Sequence, residues 1–182
     1  AMTASTPPFG TYAPGVLAAF VRTGAARTGD GRLGRLIRSA ALTVAGGRRR
    51  RPFDVAVFGT EKARLHPYDN LAEKRVFRSE PHWDAVERAF IANAGLYTLA
   101  ARSSARAAGR PFGAAAIEPQ PAMLERLRFN IEASGAGGEV TVLPLAAAAE
   151  AGVLTLTEPT RNRGEARLAA AGIDVDARPL VD

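Results

Sequence analysis

"GLYTLAARSSARAAGRPFGAAAIEPQPAMLERLRFNIEASGAGGEVTVLPL" spans residues 95–145, and its rhythm decides the fold. Leu96 to Ala108 reads as a helix and Phe112 to Ile117 as a strand. Pro121 to Ala133 reads as a second helix, with Leu124, Leu127 and Ile131 on one face and Gly135 ending it. Val140 to Leu145 reads as a second strand. Helix and strand alternating at this spacing predict a parallel α/β sheet. Downstream, Val153 to Thr157 is a further strand and Asp174 to Leu180 a weaker one. The chain shows no internal repeat.

Upstream the pattern differs. Phe53 to Phe58 alternates and is β-rich, and Gly59 breaks it. Lys62 to His66 and Lys74 to Phe77 read as two more short strands, separated by turn chemistry at Pro67 and Asp69-Asn70. Residues 52–78 are therefore expected to form a small antiparallel sheet. Trp83 to Ile91 reads as a helix with Trp83, Val86, Phe90 and Ile91 on one face. Residues 1–12 are rich in Pro, Thr and Ser and are expected to be mobile. Residues 14–25 suit a short helix with Pro14 near its first turn. Leu33, Leu36, Ile37, Ala40, Ala41 and Val44 share one helical face, while Arg32, Arg35 and Arg38 lie elsewhere. Gly46-Gly47 ends that helix, and Arg48 to Arg51 form a tetrabasic run. The expected organisation is a basic helical segment (1–51), a small β/α extension (52–91) and an α/β domain (92–182).

The chain has 182 residues, enough for one ordinary domain with an appendage, and 47% of them are hydrophobic. It has no cysteine, which excludes a disulfide framework, a thiolate zinc site and a Cys nucleophile. No apolar run approaches the roughly 18 residues of a membrane span. No basic-then-apolar signal pattern opens the chain. The expectation is a soluble, cytoplasmic, bacterial-type protein. The net charge of +6 is uneven: residues 1–51 carry nine Arg and one acid, Asp30, whereas residues 52–182 carry 15 basic and 17 acidic side chains. A basic amphipathic helix within residues 22–51 suits an anionic membrane or RNA. The favoured expectation is instead that its apolar face docks on the main domain and its Arg face is solvated. Two His, 16 residues apart and without an acidic cluster, predict no metal site.

Gly95 lies at a loop-to-helix junction. A backbone without Cβ admits a ligand closely, and a helix start offers N–H groups. Glu118 ends the next predicted strand, 23 residues on, where an acid can accept from both ribose hydroxyls of an adenosine. The segments "ANAGLYTLAAR", "AIEPQPAMLERLRFNI", "VTVLPLAAAAEAGVLTL" and "NRGEARL" follow in order, and "RLHPYDNLAEKRVF" precedes them. Over residues 52–182 this set resembles the FkbM-type family of S-adenosylmethionine-dependent methyltransferases. The resemblance implies a Rossmann-like doubly wound methyltransferase sheet and O-methylation of a small-molecule or glycan hydroxyl. It implies a cofactor turn at Asn93, Gly95, Tyr97 and Thr98, with Glu118 as the ribose acid. It places Asn162 and Gly164 near the active-site rim. The stretch Ala146 to Ala149, where family members contact adenine, offers no polar side chain. No general base is named by the resemblance; Asp69, His66 and His82 are the polar candidates.

The family's apolar strand ending in Asp-x-Gly is missing before Ala92-Asn93, and its later strands are missing after Asp182. Additional residues are therefore expected between Ile91 and Ala92 and beyond Asp182. Two other functions stay open: a methyltransferase-like scaffold that has lost its cofactor loop, and a basic module gripping nucleic acid or an anionic membrane.

Overall fold

The computed structural model describes residues 6–28, 31–46, 50–80, 95–159, 162 and 165–179. The helices are α1 (Val16–Ala26), α2 (Arg32–Gly46), α3 (Leu71–Ser79), α4 (Leu96–Ala107) and α5 (Pro121–Ala133). The strands are β1 (Phe53–Val57), β2 (Glu61–Leu65), β3 (Ala114–Ile117), β4 (Val140–Leu143), β5 (Ala146–Ala147), β6 (Gly152–Leu156) and β7 (Ile173–Arg178). The predicted helix Trp83 to Ile91, His82, Asn93, Gly164 and the Ile91–Ala92 junction lie outside the described residues.

Phe58 (φ 50°) and Gly59 (φ 90°) reverse the chain between β1 and β2, which pair antiparallel. A phenylalanine in the left-handed region is strained. Its buried ring holds it there, its N–H donates to Glu80 Oε1 at 2.6 Å, and its carbonyl accepts from the Ser103 hydroxyl. The register sets Asp54 opposite Arg64, both buried. Arg64 Nε and Nη2 donate to the two Asp54 oxygens at 2.7 and 3.0 Å.

That pair also binds the N-terminal segment. Asp54 Oδ2 accepts from the Gly10 and Tyr12 N–H groups at 2.8 and 3.0 Å. The Arg64 guanidinium donates to the Pro7 and Pro8 carbonyls, both at 2.9 Å, and lies 4.0 Å from the Phe129 ring centroid. Residues 6–12, expected to be mobile, are thus strapped to the hairpin. Their composition predicts disorder, but a buried ion pair supplies the partners their backbone needs.

Lys74 to Phe77 is not the expected strand: it lies inside α3. Asn70 is the reason, because its side-chain oxygen accepts from the Glu73 N–H at 3.0 Å and caps the helix. Glu73, Val76 and Phe77 then share one buried helical face.

One core unites the hairpin with the α/β segment. Phe53, Val57 and Leu65 from the hairpin join Val76 and Phe77 of α3, Leu96 and Leu99 of α4, and Leu127 and Ile131 of α5. Arg102 of α4 is buried within the same body. It bonds Glu61 of β2 at 2.7 Å, Glu139 before β4, and the Ser134 and Gly135 carbonyls after α5.

β3 and β4 pair in parallel across the α5 crossover, from Ala114↔Val140 to Ile117↔Leu143. This is the parallel unit that the alternation predicts. The expected strand Val140 to Leu145 stops at Leu143, where Pro144 lacks the N–H to continue the ladder. Beyond it, β5, β7 and β6 form a separate sheet in that order, β5 parallel and β6 antiparallel to β7. Its small core is Ala146, Leu156, Val175 and Ala177. The described strands therefore make three small sheets rather than one continuous sheet.

α1 and α2 pack together and against α3. The face of α2 turned inward is not the expected one. Leu33, Leu36, Ile37 and Val44 are exposed, whereas Arg38 and Leu42 are buried. Arg38 turns inward because its Nη1 donates to the Thr28 carbonyl and hydroxyl at 3.0 and 3.1 Å. Arg78 Nε of α3 in turn donates to the Arg38 carbonyl at 2.8 Å. No helix among the described residues is long and apolar enough to cross a membrane.

Candidate functional site

Gly95 stands at the N-cap position of α4 with φ 79° and has no side chain with which to cap that helix end. A Cβ on Gly95 would lie 2.7 Å from Leu127 Cδ1. The glycine is thus required by the left-handed backbone and by the close approach of α5. On the side where a Cβ would stand, the space beside Gly95 is filled by Leu127. Tyr97 is buried in the main core, and Thr98 is half-buried on the same turn.

Glu118 follows directly after β3. Its N–H extends the ladder to the Leu143 carbonyl at 3.1 Å, and its carboxylate turns back to accept from the Gln120 N–H at 3.0 Å. Burial pushes this carboxyl up to about 7, with the Gln120 N–H pulling against it. Gln120 is the N-cap residue of α5, and Pro121 opens the helix. The Gln120 side-chain oxygen is buried without a hydrogen-bond partner. The corner thus presents acceptor oxygens from two adjacent buried side chains, which suits a ligand rich in O–H or N–H donors. Gly95 packs on Leu127, seven residues beyond Gln120. The α4 start and the Glu118 corner therefore lie roughly 10 Å apart along the α5 axis.

A second polar group lies under the N-terminal strap. A cavity of about 430 Å³ is lined by Tyr12, Arg64, His66, Asp69, Arg126 and Phe129, among others. Arg126 grips both Asp69 oxygens at 3.0 and 2.7 Å and reaches Glu73 Oε1 at 3.1 Å. Burial pushes Glu73 up to about 7; Arg126 and the His66 N–H oppose this, and neighbouring Asp69 adds to it. Asp69, a candidate base, has both oxygens committed to a guanidinium; His66 and Glu125 also line the cavity and are able to accept a proton.

Asn162 accepts from the Leu71 N–H at 3.0 Å, and so lies at the start of α3 beside a smaller cavity of about 270 Å³. The stretch from Ala146 to Ala149 contributes β5 and no polar side chain. Gln120, Glu73 and Arg126 escaped the sequence reading. Asn70-x-x-Glu73 is a capping pattern that marks α3, and Gln-Pro at 120–121 marks the start of α5. No sequence signal marks Arg126, whose partners lie more than 50 residues away.

Searches of protein-family models, of curated proteins and of solved structures found no match to this chain.

Proposed function

We propose that this chain is a methyltransferase of the FkbM type that uses S-adenosylmethionine and acts on a hydroxyl of a small molecule or glycan. The observation that carries the reading is the Glu118–Gln120 corner at the C-terminal end of a parallel strand, where open α/β sheets bind nucleosides. A ribose diol offers two O–H donors. The buried, unpartnered Gln120 oxygen and the Glu118 carboxylate are acceptors that need donors. The residues present therefore fit the ribose end of the cofactor.

The bound cofactor supplies a methyl group already activated on a sulfonium. What falls to the chain is positioning. Glu118 would hold the ribose hydroxyls, and the N-terminal end of α4 would receive negative charge. The cavity under the strap holds the acceptor, with Arg126 fixed by Asp69 and Glu73, and with His66 on the wall to take the hydroxyl proton. Calorimetry with the demethylated cofactor tests this reading. Glu118→Ala should weaken binding about 10- to 100-fold, the scale of a hydrogen bond to a charged group. Affinity should fall as pH drops through about 7, where Glu118 gains its proton. Absence of binding by the full chain overturns the reading.

The Leu127 side chain against Gly95 favours a second reading, a non-catalytic scaffold of the same ancestry. Its signature is a cooperatively folded chain that gives no heat with either form of the cofactor.

A further inference from the structure

We propose that the outward face of α1 and α2 docks on an anionic membrane surface. Val16 is 89% exposed, Phe20 75%, Leu33 70% and Leu36 66%, with Leu17, Ile37 and Val44 also exposed. On α1 these side chains recur at i, i+1 and i+4. On α2 they recur at i, i+3, i+4 and i+11, a single helical stripe. Exposed apolar side chains grouped on helix faces in this way mark an interaction face.

The stripe is not a core surface that has come loose, because both helices are anchored through their other sides. Ala18 and Ala25 of α1 and Leu42 of α2 are buried. Arg38 is tied to Thr28, and Arg22 donates to the Ala56 carbonyl at 3.1 Å and to Glu80 at 3.4 Å. These bonds fix which face each helix turns outward.

Charge decides the occupant. Arg27, Arg32, Arg50 and Arg51 are exposed in this region, and no acidic side chain occurs among its described residues before Asp54. A second copy of the chain would bring a like-charged face against this one. A nucleic acid would meet the Arg side chains and leave Phe20 and Leu36 in water. Anionic lipid satisfies both features, since headgroups pair with the guanidinium groups while the apolar stripe enters the acyl boundary. Helices of 11 and 15 residues suit lying in the interface plane rather than spanning it.

The test is cosedimentation of the full chain with two vesicle types: phosphatidylcholine containing about one third phosphatidylserine, and phosphatidylcholine alone. The chain should bind the first and not the second, and added salt should weaken binding. Phe20→Asn with Leu36→Asn should lower affinity at least about tenfold, with the circular dichroism spectrum unchanged. Arg32→Ala and Arg51→Ala should each lower it about fivefold, so the proposal is readable even if the apolar variant misfolds. Equal binding to both vesicle types, or none to the anionic ones, overturns it. So does a solution dimer that the apolar variant dissociates, or RNA binding that the apolar variant leaves intact.

Discussion

In α2, Leu33, Leu36 and Ile37 face water while Arg38 turns inward. In the body formed by the hairpin, α4 and α5, the charged Asp54, Glu61, Arg64 and Arg102 are buried among Phe53, Leu65 and Leu127. What separates the two regions is the supply of partners. Arg102 meets carboxylates of Glu61 and Glu139 and two backbone carbonyls, so one side chain joins β2, α4 and the segment linking α5 to β4. Arg64 joins β1, β2 and the strap in the same way. In α2 Arg38 finds such partners in Thr28, and rotating it inward turns the apolar stripe outward. A buried charge here acts as a register device: its partners fix which face of an element points in.

The comparison breaks most sharply at Arg102. Arg102→Ala leaves Glu61 buried beside an empty site and should cost about 3–5 kcal/mol, read as a shift in the urea midpoint. Combining Glu61→Leu with Arg102→Leu should recover most of that loss, because no unpaired charge then remains buried. A cost for Arg102→Ala no larger than that of an exposed substitution would remove the distinction between the two regions.

Gly95→Ala comes next. The left-handed backbone costs a non-glycine residue about 1–2 kcal/mol, and overpacking against Leu127 adds about 1–3 kcal/mol. In a Leu127→Ala background the second part should vanish and the first remain. That result would separate a packing glycine from a ligand-cradling one.

Local signals carried into the structure wherever neighbours in sequence decide the outcome. The β1–β2 hairpin, α4, α5 and the parallel β3–β4 pairing follow from periodicity and from breakers such as Gly59 and Gly135. Val76-Phe77 misled because a pair of β-prone residues also suits one helix face, and the Asn70 cap decided between them. The stripe on α2 was legible as a stripe, but its direction was not. Periodicity gives a face, whereas Arg38, Thr28 and Arg78 choose which side of the helix turns inward. At the candidate site, Glu118 was legible from its place after a strand. The Arg126 grip on Asp69 and Glu73 was not, because it joins residues far apart in the chain. The strap escaped for the same reason, since its partners Asp54 and Arg64 lie in the hairpin.

The buried carboxyls of the body give a smaller effect with a definite sign. Burial raises Glu73 and Glu118 to about 7 from an ordinary value of 4.5. Between those limits the folded state holds more protons than the unfolded one, so stability should fall as pH rises from about 4.5 to 7. Asp54 behaves oppositely. Burial pushes it up, but hydrogen bonds from Arg64, Tyr12 and Gly10 more than reverse this, so its contribution is lost only as pH falls below the ordinary carboxylate range. Thermal melts across this range should show the slope reverse near its acid end, and Glu73→Gln with Glu118→Gln should flatten the upper limb.

The smallest effect sharpens the comparison within a single helix. Leu36 and Leu42 are both leucines of α2, six residues apart, and a reading by hydrophobicity alone would treat them as equals. Leu36 is exposed on the outward stripe, and Leu42 is buried in the main core. Leu36→Ala removes few contacts and should stay within about 0.5 kcal/mol of the parent, since alanine also favours the helix. Leu42→Ala leaves a cavity and should cost about 2–4 kcal/mol in the same urea titration. Similar losses at both positions would mean that the apolar stripe is covered in solution, either by another part of this chain or by a second copy. Repeating the Leu36→Ala titration over a range of protein concentrations separates these two, because only a self-associated cover makes the loss concentration-dependent.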